Sequence, residues 1–226
     1  MRILAIDTAL GACSAAVYDS HRGALLASES VPMLRGQAEA LLPLVARVMD
    51  QAALDFTGLD RIAVTVGPGS FTGLRVGIAA ARGIALTVGR PVVGVSTLAA
   101  YAAPQIAINR AQSVIAAIDA RHDNVYLQVF GAAGRTTVPP RIAKITDAAS
   151  ASDGPTHVVG SAALLVGAAW PADRPPPILA EAKPAPEIEW VARVGMAADA
   201  NSAPPKPLYL RAPDAQPQDS ARLPRQ

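Results

Sequence analysis

The sequence predicts an α/β fold made of two related halves, on three observations. Met1-Arg2-Ile3-Leu4-Ala5-Ile6-Asp7-Thr8-Ala9 is an apolar strand that ends in an Asp-Thr turn and runs into a return strand, Cys13 to Tyr18. A near-copy stands 112 positions on, where Val114-Ile115-Ala116-Ala117-Ile118-Asp119-Ala120-Arg121 leads into Val125 to Phe130. Between them, the β-branched run Ile62 to Val66 meets the loop Gly67-Pro68-Gly69-Ser70-Phe71-Thr72-Gly73-Leu74-Arg75, followed by helical periodicity from Gly73 to Val88. A repeated strand, Asp-turn, strand unit implies a duplicated architecture whose two turns face each other across a cleft.

The remaining elements follow from punctuation. Residues 1 to about 31 read as a three-stranded meander, with the third strand near Ala24 to Ser30, and residues 38 to 53 read as a helix. Pro43 lies inside that helical pattern and removes the bond to the Glu39 carbonyl, so the helix starts within a residue or two of Glu39 or kinks there. Residues 92 to 95 form a short strand, and Ser96-Thr97 cap a helix from Leu98 to Ala103 or beyond. After the hairpin of residues 113 to 130, Val158-Val159-Gly160-Ser161 is a strand meeting a helix. The stretch Pro171 to Pro186 lacks donors and apolar periodicity and reads as a loop or linker. A short helix near Glu187 to Ala197 and an extended tail finish the chain. The expected division is a first lobe over 1–104 and a smaller second lobe over 105–226, with a Pro-rich loop at 171–186 and a tail at 203–226.

The glycine-rich loop is built to let backbone N–H groups approach either a ligand or a neighbouring segment. Thr72 is placed to cap the following helix, whose N-terminus favours an anion. The Lys of a Walker phosphate loop is missing, so a tight capped turn stays open beside a phosphate site. For Asp7, an Asx-type bend is the alternative to a site role. At Gly160-Ser161 a single glycine leaves a plain turn as the ordinary reading.

At 226 residues, 51% of them apolar, the chain can bury a sizeable core. Its one cysteine, Cys13, excludes an intramolecular disulfide and reads as a small buried hydrophobe. The N-terminal apolar run stops at Asp7, too short for a signal peptide, and no segment approaches the roughly 20 apolar residues of a membrane helix, so a cytoplasmic location without a membrane partner is expected. The net charge of +2 resides in residues 203–226, which hold Lys206, Arg211, Arg222 and Arg225 against Asp214 and Asp219. Residues 1–202 are neutral, with 16 basic and 16 acidic side chains. They contain no basic run or aromatic-interleaved patch of the kind that tracks phosphates. His21, His122 and His157 are scattered, with no metal spacing, no zinc-type cysteine set and no local signature of a Ser-His-Asp trio, so no metal site is expected.

Asp7-Thr8-Ala9, the loop from Gly67 to Arg75, Gly94-Val95-Ser96-Thr97-Leu98, Ala117-Ile118-Asp119-Ala120-Arg121 and Pro207-Leu208-Tyr209-Leu210-Arg211 together resemble the TsaB (YeaZ) family over nearly the whole chain. One departure is Gln37, near a place where the family often carries a His. The resemblance implies the actin, sugar kinase and Hsp70-like duplicated fold with a reduced second lobe. It also implies a non-catalytic partner of TsaD in bacterial synthesis of tRNA N6-threonylcarbamoyladenosine. TsaD would transfer the threonylcarbamoyl group to the adenosine beside the anticodon, and a TsaE-like ATPase would dock on the pair. This chain would need no cofactor, ATP and Mg²⁺ being used by the complex, and tRNA would be held mainly through the complex. A homodimer stays open for the chain alone.

Two helices carry the expected contact. Gly73, Gly77, Ala80, Ala81 and Ile84 form a flat stripe, and Leu74, Ile78, Ala81, Ala85 and Val88 form a second one. In the first helix Leu41, Leu42, Val45, Val48 and Met49 cover more than one face. Either one stripe meets the sheet and the other a partner, or both helices are sandwiched in the core. The resemblance favours a four-helix contact with TsaD and an interface of Leu41, Val45, Val48, Gly73, Gly77, Ala80, Ala81 and Ile84. The competing enzyme reading places Asp7, Thr8, Ser70, Thr72 and Asp119 around a nucleotide-dependent phosphotransferase cleft, with an Asp organising Mg²⁺.

Overall fold

The computed structural model describes residues 1–211. Among these residues, ten strands form two five-stranded sheets. The first contains β1 (Arg2–Asp7), β2 (Ala12–Asp19), β3 (Ala24–Pro32), β4 (Arg61–Gly67) and β5 (Val92–Ser96) in the order β3-β2-β1-β4-β5. The second contains β6 (Ser113–Asp119), β7 (Asn124–Phe130), β8 (Thr136–Lys144), β9 (Thr156–Val159) and β10 (Leu179–Glu181) in the order β10-β9-β6-β7-β8. Read from opposite edges the two orders are the same. In each sheet the first strand pairs antiparallel with the second and parallel with the fourth. The repeat seen in two hairpins therefore extends to whole sheets, and the fold is the duplicated actin, sugar kinase and Hsp70-like type.

The strands at the centre are apolar throughout because both faces are covered. In β1, Leu4 and Ile6 join one core cluster with α1 (Gln37–Gln51) and α2 (Phe71–Val88), while Ile3 and Ala5 join another beneath α6 (Ile188–Ala197). The second sheet packs α4 (Ile145–Ala149) and α5 (Ala163–Ala168) on one face. Its other face meets α3 (Thr97–Ile108), whose Leu98, Tyr101 and Ala102 pack against Val114, Ala116 and Ile118. Helices of 5 and 6 residues stand where the first half has 15 and 18, which makes the second lobe the reduced one.

This packing corrects the expected domain division. α3 follows the first sheet and covers the second; α6 follows the second sheet and covers the first. Ile188, Val191 and Ala192 are buried with Ile3, Ala5, Ala63, Val93 and Val95. Arg61 Nη1 donates to the carbonyls of Gly195, Met196 and Ala198 at 3.0, 3.1 and 2.6 Å, satisfying acceptors at the C-terminal end of α6 with a cation. Residues 203–211 return to the first lobe as well: Gly94 N–H donates to the Ala203 carbonyl at 2.9 Å and Leu208 N–H to the Val66 carbonyl at 2.7 Å. Of the expected tail, residues 212–226 lie outside the described residues.

Local differences have local reasons. α1 begins at Gln37 after Gly36, which takes φ 88°, and carries Pro43 within it, so its start falls inside the expected limits. Gln37 is buried and donates to the Met33 carbonyl at 3.4 Å. The cap of α2 is Ser70 rather than Thr72: the Ser70 hydroxyl accepts from Gly73 N–H at 3.2 Å, and Thr72 is exposed inside the first turn. The Pro-rich stretch is not all loop, because Leu179–Glu181 form an edge strand on β9. β8, with Pro139 and Pro140 inside it, is the opposite edge of that sheet, where proline is tolerated. α2 is also long and apolar enough to cross a membrane by length and composition, at 18 residues and mean hydropathy 1.3. Its Gly73, Leu74, Gly77, Ile78, Ala81 and Ala85 face is buried in the chain's own core.

Candidate functional site: the inter-lobe cleft and the outer face of two helices

The first Asp turn sits at the carboxyl ends of β1 and β4 and is fully enclosed. Asp7 is 0% exposed; its Oδ1 accepts from Thr65 Oγ1 at 2.6 Å and from Ala9 N–H at 3.0 Å, while its Oδ2 has no hydrogen-bond partner among the described residues. Burial raises the carboxyl above the usual Asp range, against the lowering effect of those two hydrogen bonds. The Tyr101 hydroxyl on α3 is raised too, first by burial and then by the Asp7 charge.

The glycine-rich loop holds the Asp7 turn itself. Ser70 N–H donates to the Ala9 carbonyl at 2.7 Å, and Thr8 Oγ1 donates to the Gly73 carbonyl at 2.7 Å. A methyl added at Gly69 would overlap the Ala9 carbonyl, one at Gly73 the Thr8 carbonyl, and one at Gly77 would stand 2.5 Å from Thr8 Oγ1. Three glycines thus let one backbone segment lie on another. Two amides of the first turn of α2 are used by the chain: Gly73 N–H by Ser70 Oγ, and Leu74 N–H by the Ser70 carbonyl.

A strap from the Pro-rich stretch closes the same cleft from above. Gly11 N–H donates to the Pro184 carbonyl at 3.1 Å, and the Tyr101 hydroxyl donates to the Lys183 carbonyl at 2.8 Å. The Lys183 ammonium pairs with Glu187 and, at 3.2 Å, with Glu181. Between strap and α3 remains a space of about 20 Å³ lined in part by Tyr101, Gly160 and Lys183, room for about one water molecule.

The second Asp turn differs in kind. Asp119 is exposed, accepts from Arg121 N–H at 2.7 Å, and donates its own N–H to Ser161 Oγ at 3.1 Å. Arg121, His122 and Asp123 form the hairpin tip at φ 63°, 51° and 58°. Gly160 takes φ +105° and lies where a methyl would overlap the Ala117 carbonyl, repeating the positive φ of Gly67 at the end of β4. Asp7, Thr8 and Ser70 are therefore brought together at the Thr8–Ala9 turn, while Thr72 and Asp119 are exposed. Among the described residues no group of three or more His, Cys, Asp or Glu is gathered for a metal ion.

The expected interface needs a second correction. Leu41, Val45, Val48, Gly73, Gly77 and Ala81 are buried in the chain's own core and offer no side chain to a partner. Ala80 and Ile84 are half-buried and line an outer groove with Leu42, Phe56, Ala79, Gly83, Thr87 and Val88. Leu42 is 56% and Leu86 86% exposed. Small-residue spacing pointed to a close approach, and the approaching segment is the Thr8–Ala9 turn, so the outward stripe is rotated from the one expected.

The model of the family described as TsaD, tRNA N6-adenosine threonylcarbamoyltransferase, matches residues 31–163. YeaZ from Pseudomonas aeruginosa superimposes with a TM-score of 0.77 at 31% identity, over 92% of this chain and 99% of that one. The chain belongs to the TsaB/YeaZ family. Escherichia coli TsaB, named as a tRNA threonylcarbamoyladenosine biosynthesis protein, is 43% identical over 127 residues, 56% of this chain and 53% of that protein. The chain thus spans about half the length of the curated TsaB relatives it matches. An uncharacterized protein of Mycobacterium tuberculosis is 33% identical over 222 residues, 95% of this chain and 94% of its own. TsaB/YeaZ membership agrees with the duplicated topology and with the five motifs that carried the resemblance.

Proposed function

We propose that the chain is a non-catalytic subunit in the biosynthesis of tRNA N6-threonylcarbamoyladenosine, pairing with a TsaD-like subunit through the outer groove between α1 and α2. The observation that carries this reading is a contrast between two surfaces. The cleft that would serve a phosphotransferase is filled by the chain's own backbone, at Thr8–Ala9 and at Lys183–Pro184. The groove lined by Leu42, Ala80 and Ile84 leaves apolar surface facing outward. Contiguous exposed apolar surface marks an interaction site more often than chance.

In this reading threonylcarbamoyl transfer belongs to the TsaD-like partner, ATP and Mg²⁺ are used by the complex, and a TsaE-like ATPase docks on the pair in the cytoplasm. The family of the chain and the E. coli TsaB name support the pathway. The neutral charge of residues 1–202 supports leaving most tRNA contact to the partner. The test mixes the purified chain with the TsaD-like subunit of the same cell and follows the complex by analytical ultracentrifugation. A stable one-to-one complex, reduced by Leu42→Asp with the fold unchanged by circular dichroism, is expected. Absence of a complex, or ATP turnover by the isolated chain that Asp7→Ala abolishes, contradicts the proposal.

A further inference from the structure

Residues 1–202 contain no stretch in which basic and aromatic residues alternate, but the fold assembles such a patch by laying residues 203–211 against the start of α2. Leu208 N–H donates to the Val66 carbonyl at 2.7 Å, and the neighbouring Tyr209 ring lies beside Phe71 with centres 5.1 Å apart and planes tilted by 30°. The Arg75 guanidinium stands 3.8 Å from the centre of the Phe71 ring, and its Nε donates to the Tyr209 hydroxyl at 3.2 Å. One cation thus orients both rings. Phe71 is 41% and Tyr209 42% exposed. Of the three Phe, two Trp and four Tyr, these two alone are exposed among the described residues, and they touch each other. The charge of both segments has one sign: Lys206 and Arg211 are exposed, and no Asp or Glu stands between Arg61 and Ile118 or between Ala200 and Pro213. Lys206 makes no ion pair among the described residues.

Two rings kept at the surface, with cations beside them and no carboxylate in either segment, suit a ligand that is flat, apolar on its faces and anionic along its edge. We infer that Phe71 and Tyr209 form a stacking platform for an unpaired base of RNA, with Lys206 and Arg211 reaching the phosphates beside it. The choice of RNA rests on the proposed role in tRNA modification; pairing through the outer groove is not needed for it. Stacking on a ring accepts any base, so the platform holds a single strand without reading its sequence, whereas the bases of a duplex are already stacked. Pro204, Pro205 and Pro207 fix the backbone on both sides of Lys206, so binding costs the segment little freedom. Phe71 is the first residue of α2, and Gly83 in the outer groove lies about 18 Å further along the helix axis, so the two surfaces do not compete. A contact with so few cations is weak by itself and gains from being linked to the partner's own hold on the RNA.

Fluorescence anisotropy of a labelled single-stranded RNA of about ten nucleotides, titrated with the full chain at several salt concentrations, tests this. Tyr209→Leu keeps an apolar contact for Phe71 but removes the ring, Tyr209→Phe keeps the ring, and Lys206→Gln removes one cation. Circular dichroism checks each fold, and Phe71→Leu reads the same loss if Tyr209→Leu does not fold. Wild type is expected to prefer the single strand to a duplex of the same sequence. Tyr209→Leu weakens single-strand binding about fivefold or more, and Tyr209→Phe stays within about twofold of wild type. Lys206→Gln lowers the slope of log affinity against log salt by about 0.7. No binding at low salt, equal binding of the duplex, or wild-type binding by the folded leucine variant overturns the inference. So does a Tyr209→Leu chain that loses the TsaD-like subunit in sedimentation while its RNA binding is unchanged, because the rings are then a protein contact. If wild type fails to pair with the TsaD-like subunit but binds RNA in the expected pattern, the proposed pairing falls and the platform stands.

Discussion

Thr8 Oγ1 donates to the Gly73 carbonyl at 2.7 Å, across 65 residues of sequence and in a fully buried setting. That bond, with Ser70 N–H on the Ala9 carbonyl, ties the Asp7 turn to the start of α2. It makes the glycine loop a clamp on the chain. Gly77 faces the same hydroxyl, so Gly77→Leu is expected to disrupt the fold of the isolated chain. Gly77→Ala costs about 1–3 kcal/mol by overpacking. Thr8→Ala removes the obstructing oxygen, and in the Thr8→Ala/Gly77→Ala pair the two losses are less than additive. Denaturant titration of the four proteins measures the coupling; strict additivity would mean that the two residues do not meet.

Asp7 gives the fold a pH dependence of defined sign. Its carboxyl is raised in the folded state, so the folded chain binds the proton more tightly than the unfolded chain does. The associated stability is fully present below the unfolded Asp value. It declines as pH rises toward and through the folded one, and each tenfold difference in proton affinity between the two states is worth about 1.4 kcal/mol. Asp7→Asn, which keeps an acceptor for Thr65 and Ala9, is expected to remove this decline. Urea midpoints measured from pH 4 upward check it, and identical slopes in wild type and variant would show Asp7 ionised throughout.

Two glycines should respond to alanine with opposite sign. Gly160→Ala forces a side chain onto φ +105° and against the Ala117 carbonyl, a loss of about 1–3 kcal/mol. Gly83→Ala adds a methyl in open space inside α2 and gains up to about 1 kcal/mol of helix propensity. Because Gly83 lines the outer groove, the same substitution is expected to weaken association while raising the melting temperature. Thermal melts and binding on one sample decide it; stronger association would place the partner elsewhere.

Residues 203–211 act as a strap on the first lobe. Deleting residues 203–226 removes the bonds from Gly94 to Ala203 and from Leu208 to Val66, and the Tyr209 ring that lies 5.1 Å from Phe71. A melting temperature lowered by several degrees is expected, since about 1 kcal/mol shifts a domain of this size by about 2–4 °C. An unchanged melt would show that the segment adds nothing to the lobe.

The duplicated hairpins, Asp7 and Asp119 at matching places, and the strand–loop–helix junction at Gly67 were legible because short continuous apolar runs and glycine turns leave local marks. Three features were not. The exchange of α3 and α6 between lobes leaves no local mark, since Val191 and Ala192 read as an apolar stripe whichever sheet they cover. β10 is three residues among prolines and forms only because β9 offers it an edge. The inward and outward faces of α2 were confused because Gly73 and Gly77 signal close approach without naming what approaches. The exposed Leu42 and Leu86 were the better signal, since neither continues the stripe that includes Gly77.

The central claim is that the outer face, not the cleft, does the work of this chain. Nucleoside analysis of tRNA, in cells depleted of the chain and complemented with variants, tests it most directly. The account predicts that N6-threonylcarbamoyladenosine falls on depletion, returns with wild type and with Asp7→Asn, and does not return with a stably expressed Gly83→Trp. Restoration by Gly83→Trp together with failure by a folded Asp7→Asn would contradict it and return the function to the cleft.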